Sequence, residues 1–427
     1  MGETGPGTTV ESEIAVALSV AVGLFLALSS GSRAHAVELD AAQRVTLFRE
    51  ASSSRSGICA DKGNCDLTVI HPQTDISATF GSGVSMAGGY AVDIVSGATP
   101  KVFGVDAVST ATRFSDTRHE VRGSLTYARP TAEVTAGYSY GWESDYKSNG
   151  LTVTTRSDIL DHQVTLGFGY THNFDTVCDQ DNTASAGRPL DRVALSSSQN
   201  CFKSGAGAQG TVTHALNIDS LEPSVTWAAT PRLLLQGGAT VQILDGFQSN
   251  PYRQVELGSA ARTPQETVPN LRQRFAVFGR SAYAFPRTRT ALHAMTRLYR
   301  DTWAVEAVTG ELLVNQYLAK FLLFSVRGRV HAQRGASFYR DARGYRLLGP
   351  NGQYWTGDRE LSPMENLLVG GKFAYIRIPE PGAPHFFNEI EAAAKWEGLF
   401  YRLDSALAPN ADRKLAMIWQ LAISLRF

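Results

Sequence analysis

The sequence has no excess of charge of either sign, with 40 basic and 40 acidic residues. That balance excludes the clustered positive field through which proteins bind nucleic acid or anionic lipid headgroups. Long hydrophobic runs are scarce as well. Only Ile14 to Leu28 is predominantly apolar, and the mean hydropathy is −0.14. A bundle of membrane-crossing helices, each needing about 20 apolar residues, is therefore excluded, and any crossing must be made by strands. Metalloprotease spacing of the His-Glu-x-x-His type is absent, and no nucleophile, base and orienting group can be matched at sequence level. His119, His162, His293 and His331 read as strand or turn residues, so no catalytic residue and no bound metal is expected.

Cysteine is sparse. The four present are Cys59, Cys65, Cys178 and Cys201. They suit an oxidising compartment, where structural disulfides persist. Each sequence-local pair bounds a loop rich in Gly, Asn, Asp and Ser, which predicts Cys59–Cys65 and Cys178–Cys201 bridges. A zinc site is the rival, disfavoured by the lack of Cys-x-x-Cys and of a neighbouring His. The apolar run is followed by Ala34-His35-Ala36, a small-x-small site that predicts a signal peptide over 1–36 and export. The basic residues usual before such a run are missing, Glu3, Glu11 and Glu13 standing there instead, so a membrane anchor is the alternative.

What is abundant is alternation. Leu415, Met417, Trp419, Leu421, Ile423, Leu425 and Phe427 occupy every second position to the last residue. A strand with one face so apolar has lipid as its natural solvent. The same period recurs from Ala132 to Tyr140, from Val164 to Tyr170 and from Leu322 to Val330, the last interleaved with Arg327, Arg329 and His331. The pattern predicts an all-β, antiparallel up-and-down transmembrane barrel over 84–427 with about fourteen strands, between 12 and 16 allowed, short periplasmic turns and long extracellular loops. Residues 37–83, with a strand expected near Leu67 to Phe80, are expected to form a periplasmic extension or a plug. With the apolar face outward, Arg122, Arg297, Arg327, Arg329, Glu389 and Glu391 line the lumen, together with Glu120, Glu306, Lys372, Lys395 and Glu397. Such a mixed lining conducts small polar solutes, binds a ligand, or pairs internally as filling.

The final strand resembles the assembly signal that outer-membrane insertion machinery reads, although it lacks the Gly often found there. The expected partners are thus outer-membrane lipid, the barrel-assembly machinery through the strand ending in Phe427, and a small solute, with no nucleic acid. Two further blocks, Tyr90 to Pro100 continuing through Asp106–Thr112 and Asp116–His119, and Gly246 to Arg253, resemble the hallmarks of an uncharacterised, domain-of-unknown-function family of bacterial outer-membrane β-barrels. The resemblance implies a barrel and leaves its cargo open. Both blocks combine turn formers with Ser, Thr, Asn and Asp, which make a rigid rim or inward-folded loop. The sharper reading is a ligand site at the mouth built from Asp106, Asp116, Arg118, Tyr252 and Arg253.

Three functions stay open at this point: a solute pore or binding barrel, a structural or partner-binding envelope barrel, and a redox barrel. The third rests on Asp93-x-x-Ser96-Gly97-Ala98-Thr99, which resembles the sequence on which flavin transferases attach flavin mononucleotide to a Thr hydroxyl; Thr99 would then carry the flavin. No other cofactor is expected.

Overall fold

The computed structural model describes residues 37–51, 67–98, 113–196, 199–202, 205–258, 263–379, 387–403 and 413–427. Sixteen strands form one closed antiparallel barrel. In chain order they are β1 (Val37–Ala51), β2 (Leu67–Phe80), β3 (Val84–Ala98), β4 (Arg113–Arg129), β5 (Ala132–Trp142), β6 (Tyr146–Ile159), β7 (Val164–Gln180) and β8 (Thr211–Thr230). Then follow β9 (Leu233–Gly246), β10 (Leu271–Phe285), β11 (Thr290–Asp301), β12 (Glu306–Ala319), β13 (Leu322–Gln333), β14 (Met364–Arg377), β15 (Glu389–Leu403) and β16 (Arg413–Arg426). Each strand pairs with its sequence neighbours. β1 closes the ring on β16 from Asp40 opposite Arg426 to Ala51 opposite Leu415. Closure leaves no unpaired edge, the condition for burying a sheet in hydrocarbon. Among the described residues no helix is long and apolar enough to cross a membrane.

Residues 37–51 and 67–83 are not a plug or an extension. They supply β1, β2 and the turn into β3, raising the wall from the expected fourteen strands to sixteen. The ladder from β2 to β3 passes from Ile70–Ile94 to Gln73–Ala91 and skips Pro72, which has no N–H to donate. β8 shows the same skip at Pro223 in its ladder with β9, between Leu221–Val241 and Ser224–Gly238. Lys320 and Phe321 make the short turn from β12 to β13, and Asp301 ends β11. Its carboxylate accepts from the N–H groups of Trp303 (3.0 Å) and Val305 (2.9 Å), folding 301–305 into a tight turn.

Alternation sorts the side chains. Val277, Leu312, Val330 and Leu421 face outward and are more than half exposed. So large an apolar surface is stable only against lipid. Aromatic rings flank this belt at both ends. Tyr90, His119, Trp142 and Tyr140 stack in series near the loop end. Tyr283 with Phe285, and Phe321 with Tyr375, sit at the turn end. Such girdles mark the two interfaces of a membrane barrel. Gly370 permits the inner wall to thicken locally: a Cβ there would stand 2.5 Å from the carbonyl oxygen of Trp396 and against the Glu397 side chain.

Candidate functional site: the capped mouth of the barrel

At the loop end, the described residues of segments 181–210, 247–270 and 334–363 fold against one another into a cap. Backbone bonds stitch them: Leu195 N–H to the Pro251 carbonyl (2.8 Å), Gln265 N–H to the Arg192 carbonyl (3.1 Å), and a reciprocal pair between Thr267 and Trp355 (3.1 and 2.9 Å). Two apolar clusters fill it, Val255, Leu257, Tyr345 and Trp355 in one, Val268, Trp303, Val305, Ala336, Phe338 and Leu361 in the other. A short helix α1 (Ala342–Leu348) starts where the Asp341 carboxylate accepts the Gly344 N–H (2.6 Å) and stops at Gly349, whose φ of 69° is a glycine conformation. Tyr345 on α1 is fully buried. Its hydroxyl donates to the Phe338 carbonyl (3.2 Å) and accepts from the Thr356 N–H (3.0 Å), and burial pushes its pKa up to about 12.

Glu266, 2% exposed, is the cap's polar hub. Its carboxylate accepts from the Asn250 N–H (3.0 Å), the Thr356 hydroxyl (2.6 Å), the Gly357 N–H (3.3 Å) and the Arg253 guanidinium (3.1 Å). Arg253 also reaches Asp358 (3.2 Å). A disulfide joins Cys178, at the end of β7, to Cys201 in segment 181–210, with Cα atoms 5.6 Å apart. Close by, Asp179 is held by Gln265 (2.6 Å) and Arg192 (3.3 Å).

Below the cap the inward charges largely pair across strands. Arg327 lies between Glu311 (2.6 Å) and Glu397 (2.9 Å), and Lys395 supports Glu397 (3.0 Å). Lys372 meets Glu391 (2.9 Å), while Arg426 meets Asp40 (2.9 Å) and Glu389 (3.1 Å). Arg122 is bonded to Asp75 and lies 3.7 Å from Glu120. Several inward guanidiniums depart from this rule: Arg44, Arg274, Arg280, Arg297 and Arg329 make no ion pair among the described residues. The Nε atoms of Arg274 and Arg329 are buried without a hydrogen-bond partner.

Between cap and wall lies a cavity of about 700 Å³, within the range typical of small-molecule sites. The cap contributes Ser249, Pro251, Arg253, Glu266 and Asp358 to it; the wall contributes Arg272, Arg274, Arg297, Tyr299 and His331, with Leu216, Leu244 and Phe247 to one side. Arg272 is neutralised there by Asp301 (2.8 Å) and lies over the Trp303 ring.

The structure separates the rim residues expected from sequence. Arg253 reaches the cavity but is tied into the cap, and Tyr252 sits in a turn where its N–H donates to the Asn250 side chain (2.9 Å). Arg118 stands on β4, on another arc of the wall, 3.9 Å from Glu120. Asp116 lies in β4 opposite Val95, and Asp106 lies outside the described residues. Thr99, Cys59 and Cys65 also lie outside them. Asp93 of the flavin-like sequence is in β3 and accepts from His71 (2.6 Å). Glu306, expected in the lumen, faces out at the rim and pairs with Arg300 (3.7 Å) and Arg334 (3.2 Å), because it shares the parity of outward Val308. Gly137-Tyr138-Ser139-Tyr140-Gly141 spells a Gly-x-Ser-x-Gly sequence. It runs straight through β5, whereas a nucleophile elbow needs a strand-to-helix turn. Arg274, missed from sequence, is placed in the cavity by the inward alternation of Arg272 and Arg274.

Residues 15–375 match the family model described as protein of unknown function DUF3570. The chain belongs to that family. No functionally curated protein matches the sequence. Among solved structures, the DUF3570 barrel is similar to a bacterial polysaccharide outer membrane secretin, 10% identical over 91% of this chain and 98% of that one, with a TM-score of 0.45. It is also similar to Pseudomonas aeruginosa OccK2 (OpdF) in complex with glucuronate, at 10% identity, 92% and 98% coverage and a TM-score of 0.39. A BenF-like porin from Pseudomonas fluorescens Pf-5 gives 8% identity, 92% and 99% coverage and a TM-score of 0.40. These are likenesses of architecture.

Proposed function

We propose that this DUF3570 barrel resides in the bacterial outer membrane and passes or captures a small solute. The reading is carried by the capped cavity, a chamber of about 700 Å³ bounded by loop residues on one side and by the polar inner wall on the other. A wall built only for rigidity has no need of such a chamber, since paired charges and packed side chains fill a lumen as well. The outward apolar belt and its aromatic girdles support the membrane assignment. The C-terminal strand, ending in Phe427 and paired on both sides, supports insertion by the machinery that reads such termini.

The test is electrical. Purified protein in planar bilayers is expected to give stepwise conductance, whereas silence under conditions where a control porin conducts would remove the passage half of this reading.

A further inference from the structure

We propose that the cavity beneath the cap binds a small organic monocarboxylate, its anionic end on Arg274 and Arg297 and its apolar body against Leu216, Leu244 and Phe247. This inference deepens the solute-barrel reading and rests on it.

The first observation is an imbalance of partners inside one chamber. Of the four arginines lining it, Arg253 is bound by Glu266 and Asp358 and Arg272 by Asp301. Arg274 donates one N–H to the Gln242 side chain (2.9 Å), and its buried Nε meets no acceptor. Arg297 forms no hydrogen bond or ion pair among the described residues. The register puts the two on adjacent strands along one side of the chamber: Arg297 lies opposite Phe278 on β10, and Arg274 is four residues further toward the loops on that strand, opposite Asp301. Guanidinium N–H groups short of acceptors call for an oxyanion, which accepts two parallel bonds from a planar fork.

The second observation concerns charge. Arg272 is matched by Asp301, Arg253 faces both Glu266 and Asp358, and Glu143, Asp145 and Glu360 add further carboxylates to the lining. The positive charge without an acidic partner among the described residues is therefore confined to Arg274 and Arg297, inside a chamber whose acids outnumber its bases. That setting suits a single carboxylate at the two arginines and disfavours a phosphate dianion, which would add more negative charge to an acidic chamber.

The third observation concerns the ligand's body. Val177, Leu216 and Leu244 form a buried apolar cluster with Phe247 packed on it, and all four line the chamber beside the arginines. A hydrocarbon tail removed from water there adds affinity with each methylene. A carboxylate without a tail would leave that surface uncovered.

Calorimetric titration of detergent-solubilised full-length protein tests this, with hexanoate, acetate, hexanol and inorganic phosphate as probes. Hexanoate is expected to bind at least about tenfold more tightly than acetate, as burial of part of its chain requires. Hexanol and phosphate are expected to bind more weakly than hexanoate. The Arg274→Gln/Arg297→Gln double variant is expected to lose at least about tenfold in hexanoate affinity, and Leu244→Thr to narrow the hexanoate to acetate ratio while keeping the preference over hexanol. Retained heat-shifted gel mobility establishes that each variant is folded, and either variant alone suffices if the other is not. Equal binding of hexanoate and hexanol, phosphate as tight as hexanoate, or hexanoate binding unchanged in the folded variants would overturn the proposal. The two readings fail separately. Conductance without hexanoate binding sinks the carboxylate site and leaves the pore, while hexanoate binding without conductance keeps the site and removes passage.

Discussion

A single side chain, Glu266, carries much of the cap. It gathers bonds from the Asn250 and Gly357 N–H groups, the Thr356 hydroxyl and Arg253, so it ties two separate loop segments together at one carboxylate. Glu266→Gln replaces an acceptor by a donor facing Arg253 and leaves that cation underpaired. Breaking a buried pair from one side costs roughly 3–5 kcal/mol. The variant is expected to expose the cap to limited proteolysis while the wall keeps its heat-shifted mobility; equal resistance of the cap in variant and parent would refute the hub role. At this scale the sequence was partly legible. Period-two spacing put Arg297, Arg327 and Arg329 in the lumen, and the same spacing was available for Arg274. What it could not disclose was pairing. Arg327 meets Glu397 across 70 residues of chain, whereas Arg297 meets no acid among the described residues, and that contrast follows from strand register. Arg253 illustrates the converse: its chemistry suits a ligand, but Glu266 and Asp358 have claimed it.

Among the elements, β16 was plain in the sequence because its seven alternating apolar side chains are uninterrupted. β2 was not. Pro72 interrupts its ladder, and His71, Gln73 and Asp75 put polar groups on one face while Thr74 weakens the other, so the apolar stripe thins to Ile70, Ile76 and Phe80. β1 is broken in the same manner by Gln43, which faces outward and accepts from the Thr74 hydroxyl (2.5 Å). The local Cys178–Cys201 pairing was also legible, and it anchors the first cap segment to the end of β7. With the cysteines 23 positions apart in sequence, loop closure contributes about 3 kcal/mol in the chain-entropy model. Cys178→Ser/Cys201→Ser is therefore expected to lower the melting temperature of the near-ultraviolet signal of the cap, with reductant producing the same shift in the parent. An unchanged melt would show that the loop is held by its hydrogen bonds alone.

The molecule as a whole is an inverted globule, apolar outside and charged within. Leu312, 57% exposed on the outward face of β12, reports on that inversion. Leu312→Arg is expected to cost roughly 2–4 kcal/mol in a bilayer if its position is near the midplane. Leu347→Arg on α1, outside the wall and 70% exposed, should be nearly neutral, and urea titration in lipid vesicles compares the two. Equal costs would place Leu312 in water. The ring itself has a consequence for truncation. Arg426 grips Asp40 across 386 residues, and the ladder between β1 and β16 runs the full height of the wall. The ring cannot close without both of these strands. Loss of either is expected to leave an open sheet with two bare edges, which hydrocarbon does not tolerate, instead of a slightly narrower barrel.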